Sequence, residues 1–438
     1  MSYLDEELLE NYYSSLVPRL RTGLDRVTPA KFEVSRGEHF AIVIRKVQNG
    51  TYGFSRLKTL KLSNGRRVFV PTIRDRIILD ILKDRIRGKY RVKYGNRPDI
   101  IDEIIGKLRI NMPYFIVRLD IKDYFESIPH HLLLHKLRRS ALLDYEEYLL
   151  VKQIIRRDRT CGIPQGLSIS NVLSEIFLES LDDSLRLSHP RINSYFRYVD
   201  DIFILINGNF LPSETEQFKQ CINSIFASHR LSINNDKAQY LTFQSNRDDV
   251  TPVEYLGYKF SSSGGRLHVS IADSKVAKLK DRIDAIFKAF DNTGNYAVLF
   301  EQLKYITYKK SAFRTNVKII RGRPVRLKRK IYFGVTESYK RVAVEDSVWA
   351  NLDRYLRGKI RYRKALGKLS TRHRLRSLFS ISFAACRQHD YIYKLHLLSR
   401  TDLIDKLLRL DPALVRSHLA TESRNQLFSR YFAIVNIS

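Results

Sequence analysis

Three aspartates stand where a carboxylate is expensive. Asp200 and Asp201 sit side by side in SYFRYVDDIFILI (residues 194–206), an otherwise apolar and aromatic run. Asp120 closes a second such run, within YFIVRLDIKDYF (114–125). Like charges held together are costly unless a cation compensates them. Hard divalent cations with oxygen ligands are the natural compensation. Two such ions, about 3.5–4 Å apart, support an in-line displacement at phosphorus by activating the attacking hydroxyl and steadying the departing group. A lone Asp-Asp pair is more often a solvated turn, because Asp tolerates turn geometry. Here both flanks are strand-like, which puts the pair at the tip of a hairpin. The acids are also exceptions in a chain with 77 Lys and Arg against 46 Asp and Glu. Asp120, Asp200 and Asp201 are therefore the expected ligands of two Mg²⁺ ions, with Mn²⁺ as an alternative. For Asp201 the competing role is a turn-stabilising acid.

The elements that must position these acids follow from periodicity. An acidic amphipathic helix ends near Pro18. Residues 38–70 alternate at His39–Ile44 and Arg67–Val70, which predicts strands joined by turns at Asn49-Gly50 and Asn64-Gly65. From Pro71, which suits a first helical turn, the spacing becomes helical, with Ile73, Ile77, Ile78, Ile81 and Leu82 on one face. A strand covers Tyr114–Ile121, followed by helical segments to about Asp158. Residues 166–185 read as a helix entered through the turn Gly162-Ile163-Pro164-Gln165-Gly166. Strands flank Asp200 and Asp201, a helix covers about 213–229, and PVEYLGYKF with GRLHVSI forms a hairpin near Ser261–Gly265. After about residue 272 the pattern is mainly helical and strongly basic. The expected division is 1–112, 113–271 and 272–438.

The 438 residues, 44% hydrophobic, suffice for a substantial core. A net charge of +31 opposes compaction unless a polyanion neutralises it, and nucleic acid is the default partner. Anionic membrane is the alternative, but no stretch approaches the roughly 20 apolar residues of a membrane span. No signal peptide is evident in MSYLDEELLENYY. Cys161, Cys221 and Cys386 lie far apart, which argues against a disulfide framework or a structural zinc. A reduced, cytoplasmic setting is expected.

Five segments, in order, resemble the reverse transcriptase motifs A to E: RLDIKDYFESI (118–128), GIPQGLSISN (162–171), YVDD (198–201), LSINNDKAQY (231–240) and EYLGYKF (254–260). Upstream, NGRRVFVPTIRDRI (64–77) and KYGNRP (93–98) are similar to the fingers of group II intron and related bacterial reverse transcriptases. The resemblance covers roughly residues 60–262. It implies an α+β right-hand polymerase: fingers, a palm with an antiparallel sheet backed by helices, and an α-helical thumb and C-terminal region. It implies RNA-directed DNA synthesis from dNTPs, with an RNA template and a DNA primer or product as partners.

By the same resemblance, Phe125 is the sugar gate, a ring that would clash with a ribose 2′-hydroxyl. Asp123 and Tyr124 present backbone amides to the triphosphate. Gln165 and Gly166 face the nucleotide or template, the glycines allowing close backbone approach to a ligand. Of Arg66 and Arg67 only one reaches the triphosphate, since neighbouring strand residues point to opposite faces, and Arg66 fits the family motif better. Arg74 and Arg76 are secondary candidates. Lys237 is the proton donor to pyrophosphate, and Tyr255, Leu256 and Gly257 form the primer grip. Each has a plain structural alternative: core aromatic, helix entry, solvated cation or bare hairpin.

Two runs carry much of the excess charge. Residues 314–330 hold eight Lys/Arg and no acid, and Gly322 with Pro324 makes this a loop or β-arm. Residues 354–376 hold ten and no acid, with Tyr355 and Tyr362 interleaved, a pattern suited to phosphate contact and base stacking. There is no Cys/His cluster of the intron-endonuclease kind and no NAxxH or VTG string of the retron kind. No RNase H pattern is evident. The chain is thus most like defence-associated or abortive-infection enzymes, which implies copying of a structured non-coding RNA. Template-independent or protein-primed synthesis, and a maturase-like RNA scaffold, are the alternatives. Self-association is left open.

Overall fold

The computed structural model describes residues 4–16, 20–62, 65–157, 161–244, 251–320, 323–363 and 377–436. Among expected features, Pro18, Asn64, Asp158, Gly322 and 364–376 lie outside the described residues. The chain forms two compact units, Met1–Thr251 with Asn316–Leu327, and Pro252–Thr315 with Lys328–Ser438.

The first unit begins with helices α1 (Glu6–Leu16), α2 (Pro29–Val34) and α3 (Arg36–Gln48). Helix α3 overturns the strand expected at His39–Ile44. Its buried residues are Phe40, Val43 and Val47, spaced three and four apart, and the local alternation around them is incidental. Glu38 in its first turn and Arg45 and Lys46 in its last complement the helix dipole. Asn49-Gly50 is thus a helix end, with Gly50 at φ +64°, and not a hairpin turn.

Strands β1 (Lys58–Lys61) and β2 (Arg67–Val70) pair antiparallel. Helix α4 (Ile73–Lys89) starts two residues later than Pro71 suggested. Thr72 is its cap, its hydroxyl accepting from the Asp75 N–H at 3.3 Å. Helix α5 (Arg97–Leu108) leads to the central sheet.

That sheet has strand order β4-β5-β3-β6, with every neighbouring pair antiparallel. The strands are β3 (Tyr114–Asp120), β4 (Ile192–Tyr198), β5 (Asp201–Asn207) and β6 (Gln239–Phe243). The inner strands β3 and β5 are buried along nearly their whole length, which is why they read as continuous apolar runs. Helices α6 (Tyr124–Ser127), α7 (His130–Ser140), α8 (Tyr145–Arg156), α9 (Ser170–Arg186) and α10 (Pro212–Ser228) complete the unit. Helix α9 starts four residues later than expected, because Leu167–Ile169 are still in a turn.

The second unit holds a three-stranded antiparallel sheet, β7 (Val253–Tyr255), β8 (Tyr258–Ser263) and β9 (Arg266–Ile271). Helices α11 (Asp273–Thr293) and α12 (Tyr296–Thr307) follow. Strands β10 (Lys309–Ile320) and β11 (Arg323–Phe333) lie side by side in a second sheet, so the first basic run is a β-arm, of which Asn316–Leu327 is counted with the first unit. Helices α13 (Val335–Ser338) and α14 (Ser347–Arg361) and a C-terminal group of helices complete it. Glu301 of α12 accepts hydrogen bonds from the C-terminal segment, from Tyr431 (2.7 Å), Tyr393 (2.8 Å) and Lys406 (2.8 Å), so its buried charge is satisfied.

Candidate active site

Strand pairing sets the site. Asp120 is the direct cross-strand partner of Asp201, so both side chains leave the same face of the sheet. Tyr198 also pairs with Asp201, leaving Val199-Asp200 as a two-residue turn. Val199 adopts φ +61°, as the first position of a type II′ turn requires. A β-branched residue is strained there, and the turn is held from several sides. The Asp200 carbonyl accepts from the Ile121 N–H (3.1 Å), and the Val199 carbonyl from the Arg197 guanidinium (3.0 Å).

Arg197 belongs to the opposite face of the sheet. It is bound to Glu175 (2.7 Å) and Asp182 (2.7 Å) on α9, and Tyr195 donates to the same Asp182 (2.7 Å). These paired, buried charges tie the hairpin carrying Asp200 to the helix behind it. The KYGNRP loop closes on the same strand end. A Cβ on Gly95 would stand 2.8 Å from the Arg197 carbonyl oxygen.

The three acids share one electrostatic neighbourhood. Burial raises the Asp200 carboxyl above its ordinary value, and repulsion from Asp120 and Asp201 adds to this, while Lys237 opposes it. Burial also raises Asp201, against the Arg118 guanidinium at 3.3 Å, with Asp120 raising it further. The Lys237 ammonium sits 3.0 Å from both oxygens of Asp120. Asn234 holds Asp120 twice: its side-chain amide donates to Oδ2 (3.2 Å) and its backbone N–H to the Asp120 carbonyl (2.8 Å).

Among the described residues, no group of three or more His, Cys, Asp or Glu side chains is gathered as a ready metal cage. Asp120 is instead engaged by Lys237, and Asp201 by Arg118. The donor chemistry nevertheless fits a hard cation: the acids offer only oxygen, and two of them carry an unrelieved cost of burial and mutual repulsion.

Sequence reasoning missed Asn234 and Arg118. Arg118 was legible in principle, since two residues before Asp120 on a strand means the same face. Asn234 required knowing that Ile121 bridges Ile233.

The other expected residues fall as follows. Asp123 adopts φ +49° at the N-cap position of α6, without a side-chain capping bond. Tyr124 is buried, and Phe125 is half-buried with its ring 4.6 Å from that of Tyr124. The Gln165 carbonyl accepts from the Phe69 N–H at 2.8 Å, tying β2 to this turn. The close approaches at the two glycines are to the chain itself. A Cβ on Gly162 would lie 2.7 Å from Glu126 backbone, and one on Gly166 would lie 3.1 Å from the Phe69 carbonyl oxygen. Arg66 and Arg67 are exposed at the entry to β2, whereas Arg76 is paired with Asp80 (3.1 Å). In the second unit, Leu256 (φ +47°) and Gly257 (φ +82°) form the two-residue turn between Tyr255 and Tyr258.

Residues 58–260 match the family model described as reverse transcriptase (RNA-dependent DNA polymerase). This stretch holds the four-stranded antiparallel sheet that carries Asp120 and Asp201. Protein YkfC of Escherichia coli (strain K12) is 23% identical over 231 residues, covering 40% of this chain and 60% of that protein. The chain thus spans 60% of the length of this curated relative. Among solved structures, apo telomerase from Candida tropicalis, truncated from its C-terminal domain, shares 13% identity at a TM-score of 0.38, with 55% of this chain and 60% of that chain covered. Telomerase from Candida albicans in complex with a telomeric RNA fragment shares 12% at a TM-score of 0.39, with 92% and 67% covered.

Proposed function

We propose that the chain is an RNA-directed DNA polymerase whose centre is Asp120, Asp200 and Asp201. The observation that carries this is the register pairing of Asp120 with Asp201 beside the Val199-Asp200 turn, within a stretch matching the reverse transcriptase family. The three carboxylates would hold two Mg²⁺ ions, which supply activation of a primer 3′-hydroxyl and neutralisation of the leaving pyrophosphate. Asn234 fixes Asp120. Lys237, half-exposed on a flexible four-carbon stem, is free to turn from Asp120 towards a phosphate and deliver its proton there. Phe125 bars a ribose 2′-hydroxyl, Asp123 and Tyr124 offer backbone amides, and Arg66 with the Gln165-Gly166 turn binds the incoming dNTP. The Tyr255-Leu256-Gly257 turn would press the primer end.

The template we propose is a structured non-coding RNA copied in antiphage defence, in the bacterial cytoplasm; this rests on the sequence pattern. Among the described residues no helix is long and apolar enough to cross a membrane. The test is Asp200→Asn with Asp201→Asn. Incorporation of dNTPs should fall to the enzyme-free background while the circular dichroism spectrum is kept. DNA synthesis by that variant, or exclusive use of rNTPs by the wild type, would refute the reading.

A further inference from the structure

Of the three acids, only Asp200 lies outside a strand. Asp120 ends β3 and Asp201 opens β5, so the ladder aims both, whereas Asp200 is aimed by the Val199-Asp200 turn. That turn is disfavoured, because Val199 is β-branched and sits at φ +61°. One of the contacts that hold it comes from behind the sheet.

Arg197 pairs with Ile202, next to the Tyr198–Asp201 pair, so its side chain leaves the face opposite to that of Asp201. A guanidinium has five N–H donors, and here all five are used. Two reach Asp182 (2.7 and 2.8 Å), two reach Glu175 (2.7 and 3.0 Å), and the fifth reaches the Val199 carbonyl (3.0 Å). Glu175 and Asp182 are seven residues apart on α9, two helical turns, and so share one face. Tyr195 donates to Asp182 at 2.7 Å, and the Arg197 side chain is only 7% exposed. Four bonds already tie strand to helix; the fifth goes to the turn. Desolvation consumes most of the attraction within a buried ion cluster, so such a cluster is a poor source of stability. What two bidentate pairs supply is a single fixed geometry.

We infer that Arg197 is a positioning residue for the metal centre. From the rear of the sheet it holds the Val199 carbonyl, keeps the turn in its disfavoured form, and so fixes the direction in which Asp200 offers its carboxylate. Glu175 and Asp182 orient the guanidinium in turn. This deepens the functional reading and rests on its assignment of Asp200 as a cation ligand. The cluster is also reachable from solvent, through a cavity of about 400 Å³ lined by Tyr94, Glu175, Asp182, Arg186, Tyr195 and Arg197.

The experiment uses the full chain without nucleotide and measures Mn²⁺ binding by electron paramagnetic resonance, beside the unfolding temperature in metal-free buffer. Arg197→Lys keeps the charge and loses the planar fork, and should weaken Mn²⁺ binding roughly tenfold or more. Half-saturating Mg²⁺ for incorporation should rise by a similar factor. A tie that served the fold alone would lower the unfolding temperature and leave the folded protein with wild-type Mn²⁺ affinity; that result overturns the role. Arg197→Ala should lose Mn²⁺ affinity further and regain it, saturably, with millimolar guanidinium entering by the cavity. Guanidinium that raises the unfolding temperature of this variant without restoring Mn²⁺ binding also overturns it. A wild type that binds no Mn²⁺ refutes the metal centre and this role with it. Loss of Mn²⁺ in Asp200→Asn beside full binding in Arg197→Lys removes the role of Arg197 alone.

Discussion

The electrostatics of Asp200 and Asp201 make a residue-level trade between stability and chemistry. Burial raises both carboxyls, so the folded chain holds these protons more tightly than the unfolded one. The sign follows: stability falls as pH rises from the ordinary aspartate value through the raised one, and the cost persists above it. Asp200→Asn should therefore unfold at higher urea than the wild type near pH 7, with the gain shrinking towards about pH 4. A variant less stable than the wild type at neutral pH would show that the carboxylate is compensated. Incorporation should decline on acidification before an ordinary aspartate would titrate, because a protonated carboxyl is a poor cation ligand. Phe125→Ala tests the gate: rNTP use relative to dNTP should rise by roughly tenfold or more, and unchanged sugar selection would return Phe125 to the role of a core aromatic.

Elements show why some features were legible in sequence and others were not. Strand β3, the β4–β5 hairpin and helix α10 were readable because their apolar spacing and their turns agree. Helix α3 was misread because a short alternating stretch before Asn-Gly imitates a hairpin, and only the tertiary burial of Phe40, Val43 and Val47 decides. Gly162 and Gly166 were noticed, but the sequence could not say that the backbone they admit is the chain's own. Gly162→Ala combines φ +83° with a 2.7 Å clash and should cost more than about 1 kcal/mol in urea unfolding. Gly106→Ala, exposed within α5 with nothing near its Cβ, should instead stabilise by about 1 kcal/mol. If both changed stability equally, the close approach to Glu126 would carry no weight.

For the molecule as a whole, the net charge of +31 dominates. Protein stripped of nucleic acid should be least stable at low ionic strength, where self-repulsion is unscreened. A polyanion at a hundred times its Kd should restore about 2.7 kcal/mol, read as a rise in unfolding temperature that vanishes in high salt. An unfolding temperature indifferent to polyanion would count against a nucleic-acid partner.

The register of β3 and β5 also says where such a chain can grow. Asp120 faces Asp201 through strand pairing alone, although 80 residues separate them along the chain. Insertions in the connecting helices and loops leave that meeting untouched, so relatives can differ freely in length there. A single residue added inside either seven-residue strand would turn part of it over and send one acid to the wrong side. The aspartate pair thus constrains the spacing of fourteen residues tightly and the rest of the intervening chain hardly at all.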